Sequence, residues 1–342
     1  MLGMIYHDVN DAFDDLTKKF KKRELPVFRK ETRNGMATVL IPPIGVSYMK
    51  PWNNILLRRD GESNPFFNLY EAIWMIAGRN DVESVNHFVR RFEDFSDDGI
   101  TLNGAYGHRW RTHFGFDQIE YIINKLKTDK INDRRLVLSI WDGQDDLRFK
   151  TKDRPCNLQV LFKIVDKSTN GTLNMTVMNR SNDLVWGLLG ANAYNMAFLH
   201  SYISARTGLD QGVYTQISNN LHAYDFNFNY DEWKRSDYVN YEGSDQGNPL
   251  LGSVDLNHIG GNPFMEDCNH LINMCPNFPE GYSFHTPFFR NTVFPMMLAW
   301  RMHKEGLTEN ALELLTGIRL RIDMAPRMTR AGVNWLREKI AK

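Results

Sequence analysis

The chain has 342 residues, enough for one large domain or two small ones with a real hydrophobic core. Its 41 lysines and arginines balance 41 aspartates and glutamates. No bulk charge therefore favours nucleic acid or an anionic membrane as a partner, although a local basic pocket is not excluded.

The remaining bulk features predict a cytoplasmic protein. The three cysteines form no disulfide framework, which favours a reducing compartment. The N-terminal segment contains neither a signal-peptide core nor a transit-peptide bias, and no apolar run approaches the length of a membrane span.

The N-terminal half predicts mainly helices. Helical spacing covers residues 8–22, 66–78, 83–95 and 116–129, and the helix over 66–78 ends at Gly78. A strand-like segment over 36–49 is broken by a pair of prolines.

After residue 130 the spacing of apolar residues changes from a helical period to the alternation typical of strands. Strands are predicted over 134–141, 158–165, 171–181 and 212–224, and a helix over 191–208 ends at Gly208. An irregular connection over 241–265 precedes helical patterns at roughly 288–304, 308–321 and 327–341. This order predicts an α+β fold with a C-terminal helical extension.

Cys156 lies in "RPCNLQ", just before an apolar run. A lone cysteine is most often a small buried core residue, and residue type alone leaves that alternative open. Arg154 lies two residues earlier, and a neighbouring cation favours the thiolate. Pro155 fixes the backbone there. The context favours a nucleophilic thiol at a strand end.

A polar cluster follows the strand that ends near residue 179. Arg180 and Ser181 suit a phosphate, the arginine through a forked contact and the serine through its hydroxyl. Asn182 and Asp183 could instead only cap a turn. Asn192, near the start of the next helix, suits an amide-like ligand edge or a helix cap.

Two further pairs could bind an anion or a sugar. Arg134 and Arg135 would point to opposite faces of a regular strand, so they form either a solvated pair or a pair on a bent loop that reaches an anion. His222 and Tyr224 share a face at strand spacing, which suits a sugar hydroxyl, an interface or a structural role. Cys268 and Cys275 match no zinc pattern and indicate packing.

Taken together, these stretches resemble the thymidylate synthase superfamily. The similar segments span roughly residues 1–225, and seven of them occur in family order: "TRNG" (32–35), "YEAIWMIAG" (70–78), "NGAYGHRWR" (103–111), "NDRRLVLSIW" (132–141), "RPCNLQ" (154–159), "NRSNDLVWGLLGAN" (179–192) and "NNLHAY" (219–224). The resemblance implies a mixed sheet flanked by helices, with residues 1–225 as the catalytic core. Residues 226–342 then form the irregular connection and the helical extension, packed on the same domain.

The resemblance also implies a role for each site residue. Cys156 matches the nucleophile that adds to C6 of a pyrimidine nucleoside monophosphate. The implied phosphate ligands are Arg33, Arg180 and Ser181, with Arg134 and Arg135 reaching the partner's phosphate site in a homodimer. The remaining implied roles are ribose contact by His222 and Tyr224, recognition of the base by Asn192, proton movement by Glu71 and Tyr106, and cofactor binding by Asp183 and Phe92.

The implied co-substrate is 5,10-methylenetetrahydrofolate, with no metal, no nucleic acid and no membrane. In the family, hydride transfer to the methylene intermediate gives a methyl group, whereas water gives a hydroxymethyl group. Several departures favour the second outcome. Phe92 and Phe95 replace shielding tryptophans, Asn157 replaces a histidine, "GLLGAN" lacks a proline, and the short closing tail is absent. Asn192 favours uracil over cytosine.

The sequence thus predicts a deoxyuridylate hydroxymethylase similar to those of phages with modified DNA, located in the host cytoplasm if phage-encoded. Four alternatives stay open. They are a thymidylate synthase, a dCMP or CMP hydroxymethylase, a nucleotide-binding protein that has lost catalysis, and a hydrolase using Cys156 and His222.

Overall fold

The computed structural model describes residues 1–57, 63–128, 134–166, 171–228, 230, 233, 247–250, 262–317 and 327–341. The described residues form ten strands, named in chain order: β1 (Leu2–Tyr6), β2 (Val27–Thr32), β3 (Gly35–Leu40), β4 (Ile44–Tyr48), β5 (Val137–Ser139), β6 (Asn157–Asp166), β7 (Thr172–Asn179), β8 (Asn182–Asp183), β9 (Asp210–Ser218) and β10 (Leu221–Tyr224).

The strands build two mixed sheets. The larger sheet has the order β1-β4-β9-β7-β6-β5, in which β1–β4 and β9–β7 are parallel pairs and the others are antiparallel. The smaller sheet has the order β2-β3-β10-β8, with a parallel pair only between β10 and β8. The two sheets meet where β7 ends and β8 begins.

Helices surround the sheets: α1 (Val9–Lys22), α2 (Pro65–Ile76), α3 (Val82–Asn86), α4 (Tyr106–His108), α5 (Gln118–Thr128), α6 (Gly143–Arg148), α7 (Ala191–Thr207), α8 (Pro263–Met274), α9 (Phe294–Lys304), α10 (Thr308–Gly317) and α11 (Arg327–Ile340). Short 3-10 turns lie at Pro51–Asn53 and Arg90–Phe95, and π-helical turns at Arg109–His113, Leu184–Leu188 and Phe289–Val293. No helix within the described ranges is long and apolar enough to cross a lipid bilayer.

Helix α2 lies at the centre of the helical layer. Its N-cap Asn64 accepts hydrogen bonds from the main-chain N–H groups of Phe66 and Phe67, and Pro65 fits the first turn. The chain leaves the helix at Gly78 with φ +76°, a conformation that favours glycine. Nearly every side chain of α2 is buried, because α7 covers one side and the C-terminal helices cover the other.

Aromatic side chains join the C-terminal helices to α2. The Trp335 ring on α11 lies 5.5 Å from that of Phe66 and 5.8 Å from that of Trp300 on α9. Trp300 in turn stacks on Phe88 at 5.3 Å, and Phe88 stacks on Tyr70 of α2 at 4.5 Å. Aromatic pairs of this kind add about 1 kcal/mol each to the burial of their surfaces.

A buried ion pair ties the segment after α4 to α6. Both Arg109 and Asp146 are 2% exposed, and the guanidinium donates two hydrogen bonds to the carboxylate at 2.6 and 2.8 Å. Arg109 also donates to the main-chain oxygens of Asn103 and Ile140. Because every polar atom of the pair is engaged, this contact fixes the backbone on both sides of Tyr106 relative to the large sheet.

The α+β fold with mixed sheets, flanking helices and a C-terminal helical extension is confirmed. Three elements differ in extent from the sequence prediction. The strand predicted over 212–224 is two strands in different sheets, because the chain bends at Asn219 and Asn220. The helix predicted over 83–95 is α3 followed by a 3-10 turn, and the strand predicted over 134–141 shortens to β5.

Six elements were not predicted: β1, β2, β8, α4, α6 and α8, the last of which begins inside the connection expected over 241–265. Most of that connection, and the end of the helix predicted over 308–321, lie outside the described residues. The division at residue 225 stays a prediction. Helices α8, α9 and α11 all pack on α2 of the N-terminal part, which is the arrangement expected of an extension on the same domain.

Candidate active site

Cys156 lies at the edge of the large sheet, just before β6. The pairing of β6 with β7 places Asn157 opposite Asn179, so the residue before one strand meets the residue after the other. The Arg180 main-chain N–H donates to the Cys156 carbonyl at 3.0 Å. The Arg180 guanidinium Nη2 lies 3.8 Å from the Cys156 Sγ. The strand register therefore puts a cation beside the partly exposed thiol.

The cation at the thiol differs from the one expected. Arg154 was the predicted neighbour, but its Nη2 donates to the carbonyl of Phe149. Arg180 instead covers the segment before the thiol, with Nε donating to the Pro155 carbonyl at 2.9 Å and Nη2 to the Arg154 carbonyl at 3.0 Å. The arginine that is adjacent in space is 24 residues away in sequence.

Burial and charge act in opposite directions on the thiol. Burial raises the pKa of Cys156, and the carboxylates of Asp153 and Asp183 raise it further, whereas Arg180 lowers it. The net effect is a raised pKa, so the thiol holds its proton at neutral pH. A group that accepts this proton, or a further positive charge, is needed before the sulfur can attack.

Glu71 on α2 is a buried acid, 8% exposed. Its Oε2 accepts a hydrogen bond from Asn195 Nδ2 of α7 at 2.7 Å. Burial raises the pKa of Glu71 from 4.5 to about 7, although the Asn195 hydrogen bond lowers it. A carboxyl group that titrates near neutral pH can both take up and release a proton under physiological conditions.

Tyr106, in the first turn of α4, connects Cys156 with the helical layer. Its hydroxyl oxygen accepts hydrogen bonds from the main chain of Asn157 and Cys156, which lower its pKa. Burial is the largest influence and, with the neighbouring thiol, leaves the pKa of Tyr106 raised. The phenol is therefore neutral and can pass a proton at the thiol.

Asp183 and His222 are paired across β8 and β10. Asp183 Oδ1 accepts from the N–H groups of Val185 and Trp186, so this residue does cap a turn, as one alternative predicted. Burial raises the pKa of Asp183 and lowers that of His222. His222 Nδ1 lies 3.1 Å from Asn220 Oδ1, which can only accept, so Nδ1 carries the proton and Nε2 is an acceptor.

The remaining sugar and phosphate candidates lie around the smaller sheet. Tyr224 lies next to His222, with ring centroids 4.8 Å apart. Its hydroxyl accepts from Asn34 in the β2–β3 hairpin, which also carries the exposed Arg33. Ser181 is partly exposed between Arg180 and β8. These four side chains thus come from neighbouring parts of the structure.

Arg134 and Arg135 lie in a turn before β5 and are both exposed. They do not lie in a regular strand, so the two side chains need not point to opposite faces. Of the two alternatives, the pair on a bent loop describes their backbone. The structure does not bring them to Cys156 within the single chain.

Asn192 lies in the first turn of α7 and is partly exposed. Phe92 packs on Phe67 of α2, with centroids 5.6 Å apart. The buried amide that actually meets Glu71 is Asn195, which sequence reasoning missed. Its signal was the spacing: residues 192 and 195 share one face of a helix.

Asn182 was expected only as a member of the polar cluster or as a turn cap, and the structure gives it a buried contact with β9 instead. Its Nδ2 donates to Gln216 Oε1 and Ser218 Oγ, each at 3.0 Å. A Cβ on Gly187 would lie 2.0 Å from its Oδ1, so only glycine fits there. This contact fixes the turn that carries Asp183 toward α7.

The sequence predicts no metal. Among the described residues, ligand atoms of His113, Asp142 and Asp145 lie within 4.8 Å of one another. Asp142 already caps α6 and accepts from His113 at 3.0 Å. Groups of this kind are common without an ion, so no metal role is assigned to them.

The fold and this site define a thymidylate synthase-like α+β protein built around a cysteine beside an arginine. Comparison with known proteins agrees. The thymidylate synthase family model matches residues 64–240. A deoxyuridylate hydroxymethyltransferase of Pseudomonas phage M6 is 38% identical over 322 residues, which cover 92% of this chain and 88% of the relative. The chain belongs to the thymidylate synthase family.

Two more relatives match over a shorter length. The deoxyuridylate hydroxymethyltransferase of Bacillus phage SP01 is 34% identical over 195 residues, 54% of this chain and 50% of the relative. The deoxyuridylate hydroxymethyltransferase of Delftia phage PhiW-14 is 31% identical over 206 residues, 57% of this chain and 55% of the relative.

The raised pKa of Glu71 predicts a pH-dependent cost to stability. The folded state binds the Glu71 proton more tightly than the unfolded state does. The contribution of this proton to the free energy of unfolding is therefore fully present below the unfolded pKa of 4.5 and is lost as the pH rises through the folded pKa of about 7. The shift corresponds to about 3 kcal/mol. In urea denaturation, Glu71→Gln should become increasingly more stable than the wild type between pH 5 and pH 8.

The matched control is Glu31→Gln, which changes an exposed carboxylate on β2. Its stability difference from the wild type should stay within about 0.5 kcal/mol at every pH. A Glu71→Gln difference that is equally constant with pH would contradict the shifted titration.

Proposed function

We propose that this protein is a deoxyuridylate hydroxymethyltransferase, which converts dUMP to 5-hydroxymethyl-dUMP with 5,10-methylenetetrahydrofolate and water. The observation that carries the proposal is the match to the phage M6 enzyme over 92% of this chain. That match extends well beyond residue 240, where the family model ends. It therefore includes much of the C-terminal part that departs from ordinary thymidylate synthases.

The first step is attack of the Cys156 sulfur on C6 of uracil. The new S–C6 bond moves electrons onto the C5–C4–O4 system, so C5 becomes an enolate carbon. Arg180 supports the step because its guanidinium lies 3.8 Å from the sulfur. Its charge favours the thiolate, and its remaining N–H group suits the 5′-phosphate. Asn192, partly exposed in the first turn of α7, is the residue we assign to contact with the base.

5,10-Methylenetetrahydrofolate supplies the one-carbon unit when bound. After C5 has gained it, the C5 proton must leave, and Glu71 is the acceptor whose pKa of about 7 suits that transfer. We assign proton movement at Cys156 to Tyr106, whose hydroxyl lies beside that residue. Loss of the C5 proton drives departure of the tetrahydrofolate amine: the bond between that nitrogen and the one-carbon unit breaks, and an exocyclic methylene remains on the nucleotide. Addition of hydroxide from water to this carbon, with departure of the Cys156 sulfur from C6, completes the hydroxymethyl group.

Asp183 is the residue best suited to hold the folate. Its partly buried carboxylate can accept from the N–H groups of a pterin. Two exposed aromatic rings, Trp186 and Phe226, lie beside it with centroids 5.6 Å apart and offer a surface for a flat ring. Phe92 would close the site from the side of α2.

The rival activity within the family is reductive methylation to dTMP, which requires water to be excluded from the methylene. In this chain the residue next to the nucleophile is Asn157, which is 1% exposed and whose Nδ2 has no hydrogen-bond partner among the described residues. A buried unpaired N–H group favours an ordered water at this position. That observation favours hydration of the methylene over hydride transfer.

The product assay uses dUMP and 5,10-methylenetetrahydrofolate. We expect 5-hydroxymethyl-dUMP by mass spectrometry, tetrahydrofolate as the folate product and no increase in dihydrofolate absorbance. Cys156→Ser should lower turnover by at least about 1,000-fold, because the nucleophile is lost. Formation of dTMP with dihydrofolate would instead identify a thymidylate synthase.

We also propose that the protein is a cytoplasmic homodimer. Along β6, β7 and β9, buried side chains point to one face of the large sheet and partly exposed side chains point to the other. The partly exposed face includes Leu161, Met178 and Ile217. Such a half-covered face, on which these apolar side chains alternate with Gln159, Thr176 and Thr215, suits a second copy of the same chain. Arg134 and Arg135, exposed at the β5 edge, would then reach the partner's phosphate site.

Hybrid dimers test this arrangement. The double variant Arg134→Glu/Arg135→Glu and the variant Cys156→Ser should each be inactive as pure dimers. A mixed dimer should have up to about half the activity of the wild-type dimer. One of its two sites combines an intact cysteine with intact arginines from the other chain, whereas the other site carries both changes. A monomer in sedimentation experiments, or no recovery on mixing, would contradict the dimer.

A further inference from the structure

Two short chain segments are joined at both ends beside Cys156. Asp153 lies three residues before Cys156, and its Oδ2 accepts a hydrogen bond from the main-chain N–H of Gly104 at 2.8 Å. Gly104 lies two residues before Tyr106. The Tyr106 hydroxyl in turn accepts from the main-chain N–H of Cys156. Asp153 and Tyr106 therefore close a ring of contacts that contains the thiol.

The contact between Asp153 and Gly104 leaves no room for a side chain at position 104 unless the carboxylate moves. A Cβ there would lie 2.8 Å from Asp153 Oδ1 and 2.9 Å from both Cγ and Oδ2. Gly104 is not in the left-handed region of backbone conformation, so the carboxylate, and not the backbone, requires a glycine. The carboxylate thus packs directly on the main chain that leads to Tyr106, and a shift of either group would move the other.

A second carboxylate, Asp97, holds the same two segments from the solvent side. Its Oδ1 accepts from the main-chain N–H of Lys152 at 3.0 Å. Its Oδ2 accepts from Asn103 Nδ2 at 2.8 Å and from the Thr151 hydroxyl. Asp97 is exposed and is not among the groups that shift the pKa of the thiol, whereas Asp153 is partly buried and is one of them. Asp153 therefore combines a structural contact with a charge near the sulfur, and Asp97 makes the structural contact alone.

The charge of Asp153 acts on both groups at the other end of the ring. Burial is the largest influence on the pKa of the Cys156 thiol and raises it; Arg180 lowers it, and the Asp153 carboxylate raises it. Burial also raises the pKa of Tyr106, and the Cys156 and Asp153 charges raise it further. A negative charge near a thiol disfavours the thiolate. The charged groups involved are Arg180, Asp153 and Asp183 at the thiol, and Arg109, Asp97 and Asp146 at Asp153.

We propose that Asp153 is a positioning residue: its carboxylate holds Gly104 and thereby holds the Tyr106 hydroxyl against the main chain of Cys156. The inference rests on the proposed function, because it takes Cys156 as the attacking group. Asp153 acts on the reaction through Tyr106, so its carboxylate matters to turnover only while the tyrosine has its hydroxyl. Its charge has a separate effect, since it keeps the thiol protonated in the absence of nucleotide.

Alkylation of Cys156 tests the effect of the charge without nucleotide or folate. The protein is treated with iodoacetamide between about pH 6 and pH 10, and modification of the peptide that contains Cys156 is measured by mass spectrometry. Asp153→Asn removes the charge but keeps an oxygen that can accept from Gly104. It should move the midpoint of the alkylation profile to lower pH and raise the rate at pH 8 at least about threefold. The matched control Asp97→Asn should leave the rate within about 1.5-fold of the wild type.

A double-mutant cycle tests the positioning role. The kcat is measured from release of tritium from C5 of labelled dUMP, which accompanies both hydroxymethylation and reductive methylation. Tyr106→Phe should lower kcat about 100-fold and Asp153→Ala about 30-fold, with the KM of dUMP changed by less than about threefold. The double variant should be at most about threefold slower than Tyr106→Phe alone, because Asp153 acts through the lost hydroxyl. Asp153→Asn should keep kcat within about threefold, and Asp97→Asn within about twofold.

An alkylation profile that is unchanged in Asp153→Asn would overturn the inference. So would losses in kcat that multiply in the double variant, which is the result expected of a residue that only stabilises the fold. If Asp153→Ala does not fold, Gly104→Ala takes its place in the cycle, because its methyl group would displace the carboxylate. The product assay scores the proposed function separately: a wild type that makes dTMP and passes both tests refutes the hydroxymethyl reaction and supports this inference.

Discussion

The site depends on the attachment of Arg180 to the chain segment that ends at Cys156. One arginine donates to the carbonyls of three consecutive residues, from its main-chain N–H to Cys156 and from its side chain to Pro155 and Arg154. The opposed pair Asn157 and Asn179 sets the register that makes this possible. Because charged donors bind carbonyls strongly, the thiol and the cation move together, and the spacing of 3.8 Å is a property of the sheet.

The helical layer adds acid–base chemistry to this sheet edge. Helix α2 is apolar on nearly all sides, and Glu71 shares that environment, which is why its pKa lies near neutrality. The C-terminal helices complete the enclosure through Trp335 and Trp300. Their contribution to function is thus physical and indirect, since they keep water from the helix that carries the acid.

Much of the fold was predictable, because periodicity reports local structure. The amphipathic helices, the ends at Gly78 and Gly208, and the strands around Cys156 follow from spacing and glycine preference alone. The sheet to which each strand belongs could not be predicted in this way. The run over 212–224 supplies β9 to the large sheet and β10 to the small one, and no local sequence feature marks the point where the chain passes between them. The same limit applies to the site. Motif order indicated Cys156 and Arg180, whereas the contact of Asn195 with Glu71 joins residues 124 positions apart and required the packing of two helices.

The central claim is that the Cys156 sulfur adds to C6 of the nucleotide. Its most direct test replaces the C5 hydrogen of dUMP with fluorine, which cannot leave as a proton, so the covalent complex should persist. Incubation of 5-fluoro-dUMP and 5,10-methylenetetrahydrofolate with the protein, followed by peptide mass spectrometry, should show the combined mass of nucleotide and folate on the peptide that contains Cys156, and no adduct in Cys156→Ser. An unmodified Cys156, or an adduct on Cys275, would contradict the account.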